Sequence, residues 1–337
     1  MVTAAVAVAS APGRVTLLGE HTDYNGGRSL GVAMEPRTRA AAERPRAGGR
    51  VEVVSSVLGA ASCPIDQPTG PPFVRIAAAL AVAAGWRGGV RLLVDSDLPV
   101  GAGLSSSAAY AVATALALGV PGSILDVAVA CRAAEAAAGS DVGLLDQLVV
   151  LAARRGEVVA LDFAGPTVEH VGLHPAIGLS IVDTGVRRTV AQTAYGERRA
   201  ACAAAAARIG MLGRATLADL AGLDDGELRR RARHVVTECA RVDEASACLR
   251  DGALERFGTL LDEGHASLRD DFEVSTPDVE RARDEVRALP GVAGVRLTGA
   301  GFGGWLVVAH DPDVTVAPPG RSSSRLEPAE GARVSAR

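Results

Sequence analysis

The chain has 337 residues, 48% of them apolar and 22% charged, with 3% aromatic content and a net charge of −4, the composition of a folded protein whose cores are built from Ala, Val and Leu. This length exceeds a single core of ordinary size and sets the expectation of two domains. No lysine occurs anywhere and Asn25 is the only asparagine, which excludes both a Walker A loop with its GK[ST] and the VAIK lysine of a protein kinase; no block of like charge suggests a nucleic-acid or membrane surface.

Taken in chain order, the first half reads as short strands at Val15–Leu18, Leu30–Met34, Val51–Val54 and Val90–Val94, with a helix over Phe73–Ala84. Helices follow at Ser105–Leu118, which opens on serines suited to capping, and at Leu125–Ala138, with Asp126 in its first turn. Strands at Val149–Leu151 and Val158–Asp162 precede a Pro/His/Gly stretch, Gly165–Pro175, where the domain boundary is expected. Beyond it come a strand at Gly178–Asp183, helices over Ala194–Ile209, Glu227–Arg250, Leu254–Arg269 and Pro277–Ala288, and strands at Gly294–Leu297 and Trp305–Val308. The alternation suggests α+β layers, divided as residues 1–170 and 171–310. Residues 311–337, rich in Pro, Ser, Arg and Gly, are expected to form a poorly ordered tail.

The cysteines at 63, 131, 202, 239 and 248 contain no CxxC pair, so neither a zinc site nor a disulfide framework is read, and a reducing cytoplasm is the expected compartment. The N-terminal MVTAAVAVASAPGR lacks a basic n-region and is not read as a signal peptide. No apolar stretch is long and charge-free enough to span a bilayer.

Four stretches carry candidate chemistry. Leu98–Ala109, LPVGAGLSSSAA, sets a glycine turn directly before a helix, an arrangement whose unpaired N–H groups and helix dipole favour an anion while a serine hydroxyl reaches Mg²⁺. On spacing alone the turn is also an ordinary helix start. It is not a GxGxxG fingerprint, because Ser106 takes the third glycine position, nor a GxSxG elbow, because Ser107 takes the last. Pro12–Gly27, PGRVTLLGEHTDYNGG, puts Glu20, His21, Asp23, Tyr24 and Asn25 on a glycine-bounded loop. That set of donors and acceptors suits a polyhydroxylated ligand, a solvated turn being the alternative. In Gly143–Gln147, GLLDQ, Asp146 stands among leucines, where a carboxylate is costly unless it is paired or reactive. Thr298–Trp305, TGAGFGGW, is a glycine loop leading into a strand, which points to close backbone approach rather than to a dinucleotide fold.

In this order the four stretches resemble the signature motifs of the GHMP small-molecule kinases, and GRVTLLGEHTDYNGG resembles the galactokinase signature in particular. The resemblance continues at Thr189–Cys202, TVAQTAYGERRAAC, at Arg231–Glu238, RARHVVTE, and at His265–Phe272, HASLRDDF, so that it covers nearly all of Ala11–Ala309. It implies an N-terminal domain like ribosomal protein S5 domain 2 and a ferredoxin-like C-terminal domain. It further implies that Glu20, His21 and Asp23 hold sugar hydroxyls, that Tyr195 adds a contact, and that Gly143 packs against the ring. Gly101, Ala102, Gly103, Leu104, Ser105, Ser106 and Ser107 would cradle the phosphates of ATP. Ser107 and Glu135 match the Mg²⁺ ligands, and Asp146 with Arg14 match the catalytic pair.

The reaction so implied is ATP-dependent phosphorylation of the anomeric 1-OH of galactose, with Asp146 taking the hydroxyl proton and Arg14 keeping Asp146 ionised. Its partners would be small molecules, with no nucleic acid or membrane, and the chain a monomer or weak homo-oligomer. Thr16, Tyr110 and Trp305 depart from the family's usual Asn, Leu-Glu pair and Cys, and the Glu135–Asp146 interval is one residue short, which puts the place of Glu135 beside the metal to the test. The chain also starts close to the first motif, and the helix that usually follows the third glycine loop is missing, from which either a weakened second domain or an edge left for a partner is expected. Two alternatives stay open: a GHMP kinase for another sugar or sugar-like metabolite, and a non-catalytic sensor that binds galactose and ATP.

Overall fold

The computed structural model describes residues 7–43, 48–99, 101, 103–140, 142–187 and 191–335, the side chains of 191–193 excepted. Contacts divide them into two compact units, one from the described parts of Met1–Arg14, Ala33–Arg155 and Ala329–Arg337, the other from Val15–Val32 and Gly156–Pro328. These are not the sequential halves 1–170 and 171–310. The chain passes between units inside its first two strands, β1 (Ala7–Leu18) and β2 (Arg28–Glu43), so contacts follow strand pairing rather than chain order.

In the first unit β3 (Arg50–Ser55) and β4 (Gly59–Pro64) form a hairpin. Helix α1 (Pro72–Ala83) then carries the chain across to β5 (Val90–Ser96), which lies parallel to β3 with Val51 opposite Val90. Helices α2 (Ser106–Leu118), α3 (Ile124–Ala137) and α4 (Leu145–Ala152) follow. Helix α2 is apolar on nearly every side, with Ala108, Ala109, Ala111, Ala113 and Ala115 all buried. Such a helix belongs inside a core, and its small side chains let α1 and α3 pack close to it. A reciprocal capping box fixes the start of α3, Ser123 N donating to Asp126 Oδ2 at 2.7 Å and Asp126 N to Ser123 Oγ at 3.3 Å.

The strand expected at Val149–Leu151 is instead the last part of α4. A short apolar run fits either period, and here Leu145, Leu148, Val149 and Ala152 bury one helical face.

In the second unit β6 (Glu157–Asp162) pairs with Arg28–Gly31 of β2 and with β7 (Thr167–Gly172), a hairpin lying partly in the stretch expected to separate domains. Strand β8 (Gly178–Asp183) precedes α5 (Ala191–Ile209), α6 (Glu227–Asp251), α7 (Leu254–Asp270) and α8 (Pro277–Arg287), then β9 (Val292–Thr298) and β10 (Trp305–His310). Helix α7 lies backbone to backbone on β9. A Cβ on Gly294 would sit 2.0 Å from the Gly258 carbonyl oxygen, so only glycine permits this approach.

Residues 311–335 are not the poorly ordered tail read from composition. Strand β11 (Ser323–Arg325) pairs with β8, completing the order β11-β8-β10-β9 and covering the outer edge of β8 over Ser180–Val182. Strand β12 (Arg333–Ser335) pairs with β1. Composition misses this because the segment is held by backbone pairing and a few widely spaced anchors, Val316, Leu326 and Ala329. The Arg37 guanidinium adds to the hold, donating to the carbonyls of Glu330 and Gly331 at 2.8 and 2.6 Å.

Candidate active-site residues

The first unit gathers Arg14, Ser105 and Asp146 around the glycine turn. Gly13 brings β1 against the glycine turn, where a Cβ would meet the Leu104 carbonyl oxygen at 2.9 Å. Arg14 is thereby set beside the turn: its backbone N–H donates to Leu104 O at 3.3 Å and its Nη1 to Gly103 O at 3.2 Å. The same guanidinium grips Asp146 Oδ1, with Nε at 2.7 Å and Nη2 at 2.6 Å, while Ser105 Oγ donates to Asp146 Oδ2 at 2.5 Å. Asp146 opens α4 and keeps 28% of its side chain exposed.

Ser105 differs from the expected capping role. It stands at the N-cap of α2 in the left-handed region, φ 57°, and makes no side-chain cap. Its hydroxyl serves Asp146 instead, which leaves the first turn of α2 without a cap from its N-cap side chain, a condition that favours binding an anion. Gly101 and Gly103, at φ 73° and 82°, shape the turn. Ala102 lies outside the described residues. Ser106 is half-buried at the start of α2, and Gly143 is half-buried in the loop before α4.

Ser107 donates a short hydrogen bond to Glu135 Oε1, and Gln147 Nε2 reaches Glu135 Oε2 at 2.5 Å. The short interval to Asp146 therefore leaves Glu135 beside Ser107. Burial raises the Glu135 carboxyl above its ordinary value, against the lowering effect of these two hydrogen bonds. Gln147 Oε1 is buried without a partner among the described residues. One carboxylate, one hydroxyl and one orphaned amide oxygen make a hard-oxygen set that fits Mg²⁺, an ion held in nucleotide sites by few protein ligands together with phosphates. Among the described residues there is no group of three His, Cys, Asp or Glu able to hold a metal.

The second unit assembles a polar loop at the end of β1. Gly19, at φ 98°, cannot carry a side chain, because a Cβ would lie 2.4 Å from Arg28 O. Asn25 Nδ2 closes the loop onto His21 O at 2.7 Å, and Thr22 O accepts from the backbone N–H of Asn25 and of Gly27. His21, at φ 64°, stacks on Phe272 with centroids 4.3 Å apart and lies 5.7 Å from the Tyr195 ring. Its Nδ1 is 3.1 Å from Tyr24 Oη, and its Nε2 is buried with no partner among the described residues. Burial and the neighbouring His234 lower its basicity well below that of an ordinary histidine, so the ring is neutral. Asp23 lies in the short 3₁₀ turn Asp23–Asn25 and is half-buried, as is Tyr195 on α5.

Glu20 is placed differently from its neighbours. Its carboxylate is buried against Arg296, with Gly299 N donating to Oε1 at 3.3 Å. Burial raises its pKa to about 7, even though Arg296 pulls it down. Of the residues expected from the sequence, Arg14 and Ser105 meet Asp146 and Ser107 meets Glu135 in one unit, and His21 lies beside Tyr195 in the other. Gln147, Phe272, His234, Glu238 and Arg296 join these groups without having been expected. The signal available for Arg296 was a lone charge inside the apolar run VAGVRLT, which demands buried partners.

Comparison with known proteins fits this geometry. Residues 2–44 match the galactokinase galactose-binding signature, residues 72–154 the GHMP kinases N terminal domain, and residues 245–316 the GHMP kinases C terminal domain. The chain is 38% identical to a galactokinase of Roseiflexus sp. (strain RS-1), over 89% of this chain and 82% of that protein. It is 36% identical to the human galactokinase, over 88% of this chain and 82% of that protein. Its structure superimposes on Lactococcus lactis galactokinase, solved in complex with galactose, with a TM-score of 0.88 and 26% identity, covering 97% of this chain and 94% of that one. Methanococcus jannaschii mevalonate kinase, at a TM-score of 0.68 and 14% identity, shares the fold.

The α+β fold and these matches make the chain a GHMP kinase. Within that class it belongs to the galactokinase family.

Proposed function

We propose that the chain transfers the γ-phosphoryl group of ATP to the anomeric 1-OH of D-galactose, giving galactose 1-phosphate and ADP. The observation that carries this reading is Asp146, held through Oδ1 by Arg14 and through Oδ2 by Ser105, beside the uncapped start of α2.

Asp146 accepts the proton of the sugar hydroxyl as its oxygen bonds to phosphorus. The bond from phosphorus to the bridging oxygen breaks, and ADP leaves with the electron pair. The anomeric hydroxyl is more acidic than an ordinary alcohol, which eases this proton transfer. Arg14 fixes the carboxylate and supplies positive charge where the transferring group builds up negative charge. The first turn of α2 and the Gly101–Ser107 stretch hold phosphate oxygens. Ser107, Glu135 and Gln147 are the residues that would hold Mg²⁺, which when bound neutralises charge on the phosphate oxygens.

On the sugar side, the buried and unpartnered Nε2 of His21 faces a hydroxyl, joined by Asp23, Glu20 and Tyr195. Gly143 packs against the ring. The cytoplasm is the compartment that suits five buried free thiols. Purified protein with ATP and Mg²⁺ should release ADP only when galactose is added. ADP release indifferent to galactose would sink the reading, and galactose binding without ADP release would make the chain a sensor.

A further inference from the structure

Glu20 is held from several directions. Arg296, at 0% exposure on the buried strand β9, reaches Glu20 Oε2 with Nη2 and Glu238 Oε1 with Nη1, the latter at 2.7 Å. Glu238, also at 0% exposure, accepts the backbone N–H of Gly19 at 2.7 Å through Oε1 and Arg241 Nε at 2.8 Å through Oε2. His234 Nε2–H donates to the carbonyl of Glu20 at 3.1 Å. The backbone N–H of Gly19 and the carbonyl of Glu20 are thus tied to α6, and the Glu20 carboxylate is tied to β9.

Two properties make this network more than a means of stability. Buried ion pairs return little net stability, because desolvation offsets their attraction. The backbone they grip is also one that needs outside support: His21 follows Glu20 directly in the left-handed region, at φ 64°, a conformation that a non-glycine residue keeps only where its surroundings impose it. A fork-shaped guanidinium bonded to two carboxylates fixes direction as well as charge, which a lysine ammonium does not.

We infer that Arg296 and Glu238 are positioning residues for sugar recognition, locking the Gly19–His21 backbone and the Glu20 carboxylate so that the loop presents a single arrangement of donors and acceptors. The inference rests on the galactose reading above. Neither residue acts on the transferring phosphoryl group, so their loss falls on sugar affinity and leaves the chemical step and ATP affinity in place.

Steady-state kinetics of Arg296→Lys and Glu238→Gln, each with galactose and ATP varied separately, test this. Arg296→Lys keeps the charge and loses the fork. In both variants the KM for galactose should rise at least about 10-fold, the equivalent of one charge-assisted hydrogen bond, with kcat and the KM for ATP within about 2-fold of wild type. An unchanged galactose KM, or an equal loss on galactose, ATP and kcat, overturns the inference and makes the network a support for the fold. If Arg296→Lys does not fold, Glu238→Gln decides by the same split, and failure of both to fold also overturns it. Wild-type protein that does not phosphorylate galactose refutes the underlying reading first, in an assay that needs neither variant, and the inference falls with it.

Discussion

Arg14 and Asp146, 132 positions apart in the chain, meet through two nitrogens on one oxygen, Nε at 2.7 Å and Nη2 at 2.6 Å from Oδ1. The side-on grip fixes the plane of the carboxylate, while Ser105 holds the other oxygen at 2.5 Å. Asp146→Asn keeps the shape and removes the proton acceptor. It should lower kcat at least about 10²-fold, the lower end for general acid–base catalysis, with galactose affinity nearly unchanged by calorimetry. Normal turnover would remove Asp146 from the role of base.

Glu135 is a buried carboxylate whose pKa burial raises, and it is satisfied by Ser107 and Gln147. Glu135→Gln keeps its hydrogen-bonding shape and removes its negative charge. The Mg²⁺ concentration for half-maximal rate should rise by about 10-fold or more, with the galactose KM unaffected. A magnesium titration identical to wild type would take Glu135 out of the metal site.

His234 is buried with a pKa lowered by burial to about 4 from an ordinary 6.5, against the raising influence of Glu238 and with Arg241 and Arg296 also lowering it. Between these values the unfolded chain takes up a proton that the folded histidine refuses. Its stabilising contribution is therefore present above pH 6.5 and lost as pH falls toward 4, by about 3 kcal/mol in all. Glu20, raised to about 7, works in the opposite direction over pH 4.5–7, so a wild-type profile alone mixes the two. The difference in unfolding free energy between wild type and His234→Gln isolates His234. That difference should shrink as pH falls from 6.5 toward 4, and a constant difference would contradict the assignment.

Gly213, in the short turn Leu212–Arg214, lies against the sugar loop, where a Cβ would come within 2.1 Å of Gly26 O. Backbone cannot yield as a flexible side chain can. Gly213→Ala should cost about 1–3 kcal/mol of stability and raise the galactose KM, with the ATP KM unchanged. A denaturant curve superimposable on wild type would show that the loop relaxes freely.

The sequence carries the chemistry more openly than the architecture. The glycine turn before Ser105 and the carboxylate of Asp146 among leucines were legible from residue type alone, whereas Arg14, Ser107 and Glu135 were named through the family resemblance; the structure sets Arg14 and Ser105 on Asp146 and Ser107 on Glu135. Arg296 and Glu238 were not legible, since their meaning lies in partners as far as 276 positions away. Glu20 was legible as polar and functional, whereas its engagement by Arg296 depends on how β9 is buried. Residues 145–152 fit helix or strand until packing chooses, and 323–325 and 333–335 become strands only because β8 and β1 offer edges to pair with.

The most direct test of the account is ³¹P and ¹H NMR of a reaction containing the purified protein, ATP, Mg²⁺ and galactose, run beside the same mixture with glucose, arabinose or mevalonate. The account predicts a galactose-dependent phosphomonoester whose phosphorus couples to the anomeric proton, formed in step with ADP. Phosphate on another hydroxyl, preference for another acceptor, or bound galactose with no sugar phosphate would contradict it.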